Sequence, residues 1–156
     1  KKKWFLYPIV ILLSYLGFYI INNFFTIEPD VISGNGNPGL IIIILFSPIF
    51  VIGYLLTYQL SREISFNLLN KFQKLPFYSF YFFPVFFESS HYLLFKHLII
   101  SLGGPPNNPN SRIYRFGWFN QYTNSIYFNF YTFLLTHIIA AMIGILSTFK
   151  IQLKPG

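Results

Sequence analysis

Cysteine is absent from the 156 residues. Its absence excludes disulfides, thiolate metal sites and cysteine nucleophiles. Charge is also scarce: Asp, Glu, Lys and Arg make up 10% of the chain, against about 25% in a soluble domain. Alanine occurs only at Ala140 and Ala141. No Asn-x-Ser/Thr glycosylation signal is present. Gly-rich phosphate loops and the HExxH and GxSxG motifs are missing too. The phosphate-binding, zinc-hydrolase and serine-hydrolase chemistries that use those motifs are therefore not expected.

What remains is apolar. Hydrophobic residues make up 54% of the chain and aromatics 22%, with 21 Phe and 12 Tyr, and the mean hydropathy is +0.52. So short a chain cannot hide that much apolar surface in one water-soluble core, so lipid is the expected solvent. Phe, Tyr, Ile, Asn and Lys are residues of A/T-rich codons. An A/T-rich gene explains the aromatic abundance without any function for it. The net charge is +7, but the basic residues flank apolar segments instead of forming one face. Nucleic acid is therefore not an expected partner.

The pattern predicts an all-α integral membrane protein with about four transmembrane helices and one amphipathic interfacial helix, in a single domain over 1–156. Span 1 runs from Trp4 to about Phe25, beyond the roughly 20 residues that cross a bilayer. Lys1, Lys2 and Lys3 precede it in the manner of a signal peptide. The apolar run is too long for one and no small-residue cleavage site follows, so a retained span is expected. The chain opens on Lys, not Met, and residues upstream are expected. After a loop rich in Gly, Asn and Pro, span 2 covers about 40–58, with a kink expected at Pro48. Over 59–74, Leu60, Ile64, Leu68, Leu69 and Phe72 recur at helical spacing, opposite Arg62, Glu63, Asn67, Lys71 and Lys74. That pattern predicts a helix lying on the membrane surface or packed on a partner. Span 3 covers about 75–101. The segment Gly103–Asn110, GGPPNNPN, predicts a rigid extended connection. Span 4 covers about 125–149. An even number of spans puts both termini on one side. That side would carry Lys1, Lys2, Lys3, Arg62, Lys71, Lys74, Lys150 and Lys154, against Arg112 and Arg115 opposite, and the excess marks the negative, matrix-like side.

Few residues are placed for chemistry, and none is expected to be catalytic or to bind a metal. Glu88 and His91 share a helix face, with Lys96 and His97 beyond them. The candidate roles are a proton or ion-pair site and, for His91, a quinone contact; the bland alternative is that these groups lie in water or at a protein interface. His137 lies deep in span 4, where neutral imidazole either ligates haem or hydrogen-bonds a neighbouring helix. Arg112, Arg115 and Trp118 suit the headgroup level and an anionic phospholipid such as cardiolipin. Ala140 and Gly144 form a small-xxx-small pair that lets another helix approach closely.

The stretch HYLLFKHLIISLGG, from His91 to Gly104, resembles the end of the second span in the large membrane anchor of succinate dehydrogenase. There a haem-ligating His precedes a basic-His-Leu motif, an Asp and a Gly. His91 and His97 take the two His positions, with a spacing one residue shorter, and Ser101 stands where the family has Asp. The resemblance covers 14 residues. It implies a b-type haem or quinone at His91, with His137 as a possible second ligand. The whole chain, in composition alone, resembles the Phe/Tyr/Ile/Asn-rich membrane proteins encoded in divergent protist mitochondrial genomes, especially those of ciliates. That resemblance implies a non-catalytic structural or assembly subunit of a respiratory-chain complex in the mitochondrial inner membrane, packed against other membrane subunits and lipid, with no cofactor of its own. Three alternatives stay open: a membrane subunit of ATP synthase, a haem- or quinone-binding anchor, and a stand-alone channel or transporter. No span contains an Arg like that of the ATP synthase proton-channel subunit, and one acidic residue within the spans is few for an ion transporter.

Overall fold

The computed structural model describes residues 2–34, 36–69 and 91–152. Among the described residues the chain is helical, with no strand. A 3-10 turn, Lys2–Phe5, leads into α1 (Leu6–Phe24). α2 is Gly39–Leu69 and α3 covers 91–101. The short helices α4 (Arg112–Phe116) and α5 (Asn124–Tyr127) precede α6 (Phe130–Gln152). Three stretches are long and apolar enough to cross a membrane: Leu6–Phe24, Gly39–Asn67 and Asn124–Thr148. The expected span at 75–101 lies mostly outside the described residues, as does Glu88; of it the structure describes α3.

α1 has 19 residues, or about 28 Å at 1.5 Å per residue, enough to cross the hydrocarbon. Pro8 sits in its first turns, where a missing N–H breaks no helical bond. α2 is longer, at 31 residues, or about 46 Å. Its second half is the segment expected to lie along the membrane surface. Over its described part that segment continues α2 without a break. It stays in line because α6 holds it: the Ser65 hydroxyl lies 3.1 Å from that of Thr148. Pro48 sits inside α2 and frees the Ile44 carbonyl, four residues back. The Ser47 hydroxyl donates to that carbonyl at 2.9 Å, so the vacancy is filled locally.

Contacts between the long helices set their directions. Gly17 meets Phe46 and Phe50, Ser14 reaches the Ile49 carbonyl and Tyr7 reaches Thr57. The α1 numbers fall as the α2 numbers rise, so α1 and α2 are antiparallel. Thr57 meets His137, Tyr58 meets Gly144 and Ser65 meets Thr148. Both sets rise together, so α2 and α6 run parallel. At Gly144 the α2 backbone comes so close that an added Cβ would strike the Tyr58 carbonyl and lie 3.3 Å from the Arg62 nitrogen.

The core between these helices is aromatic. Phe18, Ile21, Phe50 and Phe133 are buried together. Phe18 meets Phe50 edge-on at 5.1 Å and Phe133 at 5.5 Å, the geometry that ring quadrupoles favour.

At the end of the bundle where α2 and α6 begin, residues 25–34, 36–38 and 102–129 form a folded cap. A second core of Leu102, Ile113, Tyr122 and Ile126 lies under it, with Phe95, Leu98 and Ile99 of α3 packed alongside. The expected extended segment after α3 instead closes into a loop. Asn108 N–H bonds the Pro105 carbonyl, and Arg112 N–H bonds the Leu102 carbonyl at 2.8 Å. Gly103, at φ 90°, makes the turn; any Cβ there would lie 2.8 Å from the Asn110 carbonyl oxygen.

Gly144→Leu is expected to destabilise the protein by about 1–3 kcal/mol, the usual cost of overpacking, because the obstacle is backbone and cannot turn aside. Unfolding of the variant and parent in mixed detergent micelles measures this. Equal stability would mean that α2 and α6 do not meet at Gly144.

Candidate functional site

One buried polar seam runs down the three long helices. It follows a ladder of small and hydroxyl residues on α2, Gly53, Thr57 and Ser65, each of them buried. Spacings of four and eight put them on one helix face. On α6 the facing stripe is Phe133, His137, Gly144 and Thr148. α1 contributes Tyr7 and Ser14.

His137 is the centre. It is 9% exposed, and its Nδ1 lies 2.9 Å from the Thr57 hydroxyl oxygen. Rings flank it: Phe133 at 4.6 Å and Tyr54 at 4.9 Å between centres. Gly53 leaves room for the Ser14 hydroxyl, which a Cβ there would approach to 2.9 Å, and borders the imidazole at an ordinary contact distance, 3.4 Å to His137 Cε1.

The tautomer follows from the direction of the Thr57 hydroxyl, which has two acceptors in reach, the Gly53 carbonyl and His137 Nδ1. A threonine hydroxyl has one proton to give. Given to the Gly53 carbonyl of its own helix, at 2.9 Å, it leaves the Thr57 oxygen as an acceptor. It must then accept from His137 Nδ1–H, and its remaining lone pair faces the Tyr7 hydroxyl at 3.3 Å. A neutral imidazole protonated on Nδ1 carries a lone pair on Nε2. That atom is buried and has no hydrogen-bond partner among the described residues. In that tautomer the arrangement holds a Lewis base, fixed in orientation, inside the helix bundle. It can accept a hydrogen bond, take a proton or ligate a metal. Nε2 is buried, so a haem could reach it only if the packing around the ring opened.

The other expected residues are dispersed. His91 begins the described part of α3 and is half-buried; Lys96 and His97 are exposed on the same helix. α3 packs on the second core through Phe95, Leu98 and Ile99, while His137 belongs to the α2–α6 seam. Among the described residues no three His, Asp or Glu side chains converge as a metal site. Arg112 and Arg115 part company. Arg112 turns inward, where Nε and Nη2 donate to the Pro29 carbonyl at 3.1 and 3.0 Å and its guanidinium lies 5.0 Å from the Tyr122 ring centre. Arg115 stays exposed, with Nε 3.4 Å from the Pro109 carbonyl. Trp118 stacks on Phe95 with rings 8° from parallel. Gly144 packs against α2 of the same chain, and Ala140 is half-buried beside it.

Sequence reading missed the partners of His137. Tyr7, Ser14 and Thr57 are each unremarkable alone. The usable signal was the repeat Gly53, Thr57, Ser61, Ser65, a small residue at every fourth position along α2. It also missed the cap network. The Asn124 amide donates to the Phe25 carbonyl and to Asn37 Oδ1, the Gln121 amide donates to the Gly34 carbonyl and the Tyr122 hydroxyl donates to the Val31 carbonyl.

Thr57→Val, which keeps the shape but removes the acceptor, strands both ring nitrogens of His137. It is expected to cost about 1–3 kcal/mol, as for a buried group left unpaired. Thr57→Ser keeps the hydroxyl and should stay closer to the parent in the same unfolding measurement.

No family model matches this chain, and no curated protein or solved structure matches it.

Proposed function

We propose that the chain is a non-catalytic structural subunit of a multi-subunit membrane complex, and that this complex belongs to the respiratory chain of the mitochondrial inner membrane. One observation carries the structural role. The two segments of the cap are tied together by side-chain bonds from Gln121, Tyr122 and Asn124 of one to backbone carbonyls of the other, yet the cap displays large apolar side chains outside the long helices. Ile32 is 90% exposed, Phe119 76% and Tyr114 58%. A well-tied platform that presents apolar groups above the spans suits docking on another protein. The respiratory assignment rests on the compositional resemblance.

In this reading the chain crosses the membrane four times. Parallel packing of α2 and α6 supports it, because two parallel spans need an odd number of crossings between them. The return crossing falls between Leu69 and Arg112 and ends in α3. Both termini then share a side, opposite the cap, and the excess of Lys there supports the matrix as that side.

A second reading draws on the unpartnered Nε2 of His137: an anchor that holds haem or quinone at that nitrogen. A reduced-minus-oxidised spectrum of the complex distinguishes the two. A haem signal lost in His137→Leu would favour the anchor; a signal unaffected by His137→Leu favours the structural subunit.

Native electrophoresis of source membranes in mild detergent, with mass spectrometry of the band, tests the main proposal. Migration with respiratory subunits is the expected result. Migration with ATP synthase subunits would reassign the complex, and migration alone or as a small homo-oligomer would overturn the proposal. The lack of Cys also makes a clean topology test. Single Lys3→Cys and Lys154→Cys variants should react with an impermeant maleimide from the same side, and Ile32→Cys from the other. Labelling of the two termini from opposite sides would refute four crossings.

A further inference from the structure

We propose that a cavity of about 380 Å³ beside Arg115 binds the phosphodiester headgroup of an anionic phospholipid, with an acyl chain running down the exposed face of α2. The inference does not depend on which complex contains the chain. The volume falls within the range of small-molecule sites, about 300–1,000 Å³.

The lining has two characters. Arg115, Asn37 and Gln121 supply the polar part; Leu40, Phe116 and Phe119 supply the apolar part. Arg115 is the one charged residue in the described lining, and no acidic residue joins it there. Its side chain is committed only weakly, through the 3.4 Å contact from Nε to the Pro109 carbonyl. Among the described residues its two terminal amino groups donate to nothing, and a guanidinium fork matches two phosphate oxygens. The contrast with Arg112 is informative, because that guanidinium is already spent on the Pro29 carbonyl.

Position favours a lipid over a soluble phosphate. Leu40 lines the cavity and opens the apolar run of α2, so the cavity sits where hydrocarbon gives way to headgroups. From there Leu40, Ile41, Ile44 and Leu45 continue as an exposed apolar strip, with Ile44 72% exposed. A phosphate at Arg115 and a tail along that strip satisfy both halves of the lining. A free phosphate would use only one.

Trp118 lies three residues from Arg115 and serves as a reporter. The Trp4→Phe variant leaves Trp118 as the only tryptophan. The full-length variant would be reconstituted in phosphatidylcholine vesicles containing a minor fraction of phosphatidylglycerol. One preparation carries bromine on the phosphatidylglycerol acyl chains, and the other carries an equal amount on phosphatidylcholine. Stronger quenching of Trp118 by brominated phosphatidylglycerol is expected, with that preference lost in Arg115→Gln and partly kept in Arg115→Lys. Quenching by brominated phosphatidylcholine should be equal in all three, which verifies insertion. Should Arg115→Gln fail to insert, the Arg115→Lys comparison decides, and an undiminished preference there counts against the guanidinium fork. No preference in the parent, or one that survives Arg115→Gln, would overturn the proposal. Abolition of the preference by inorganic phosphate, but not by an equal concentration of sodium chloride, would overturn it in favour of a free anion.

Discussion

The close approach of α2 and α6 is the contact on which the rest of the fold depends. In lipid there is no hydrophobic drive to press one apolar helix on another, so association rests on packing and hydrogen bonds. Gly144 lets the α2 backbone reach van der Waals distance, with room for no Cβ. That closeness brings Thr57 to His137 and Ser65 to Thr148. α1 then lies across the remaining groove, where Gly17 accepts the rings of Phe46 and Phe50. In a chain with two alanines, glycine takes the part that alanine usually shares in membrane helices.

Small residues govern where helices touch, and phenylalanine fills what is left. Phe18, Phe50 and Phe133 interlock edge to face, so the aromatic excess is structurally used even if codon composition explains its origin. The polar groups follow a second rule. Each buried hydroxyl on α2 or α6 that faces the seam has a backbone or side-chain partner within reach. The His137 Nε2 stands out as the exception.

Much of this architecture was legible before any coordinates. Span 1 was read at 4–25 and α1 is Leu6–Phe24; span 2 was read from 40 and α2 begins at Gly39; span 4 was read from 125 and α6 begins at Phe130. Long apolar runs make such starts plain. The end of α2 was not, because Arg62 and Glu63 imitate an amphipathic helix that turns onto a surface. Hydropathy records the solvent of each residue, whereas the helix keeps its axis because Tyr58 and Ser65 rest on α6. The Pro-rich loop was misread for a related reason: Pro and Asn limit each residue's own dihedrals, but the closure at Arg112 N–H and Leu102 carbonyl joins residues ten apart. The buried position of His137 was legible from its apolar neighbours. Its partner, 80 residues away, was not, since period and composition do not say which helix lies opposite.

The hydroxyls of the bundle carry a consequence for biosynthesis. Thr57 donates to Gly53, Thr148 to Ile145, Thr136 to Thr132 and Ser47 to Ile44, each within its own helix. Each helix can therefore leave the ribosome and wait in lipid with these protons already placed. Among the described residues His137 has no such acceptor on its own helix, and it meets Thr57 only when α6 packs on α2. Docking of α6 thus satisfies the imidazole together with the Ser65 hydroxyl, whose partner also lies across the helix contact, and an α6 that failed to dock would keep an unsatisfied imidazole in hydrocarbon, a mark that separates the packed bundle from an unpacked one.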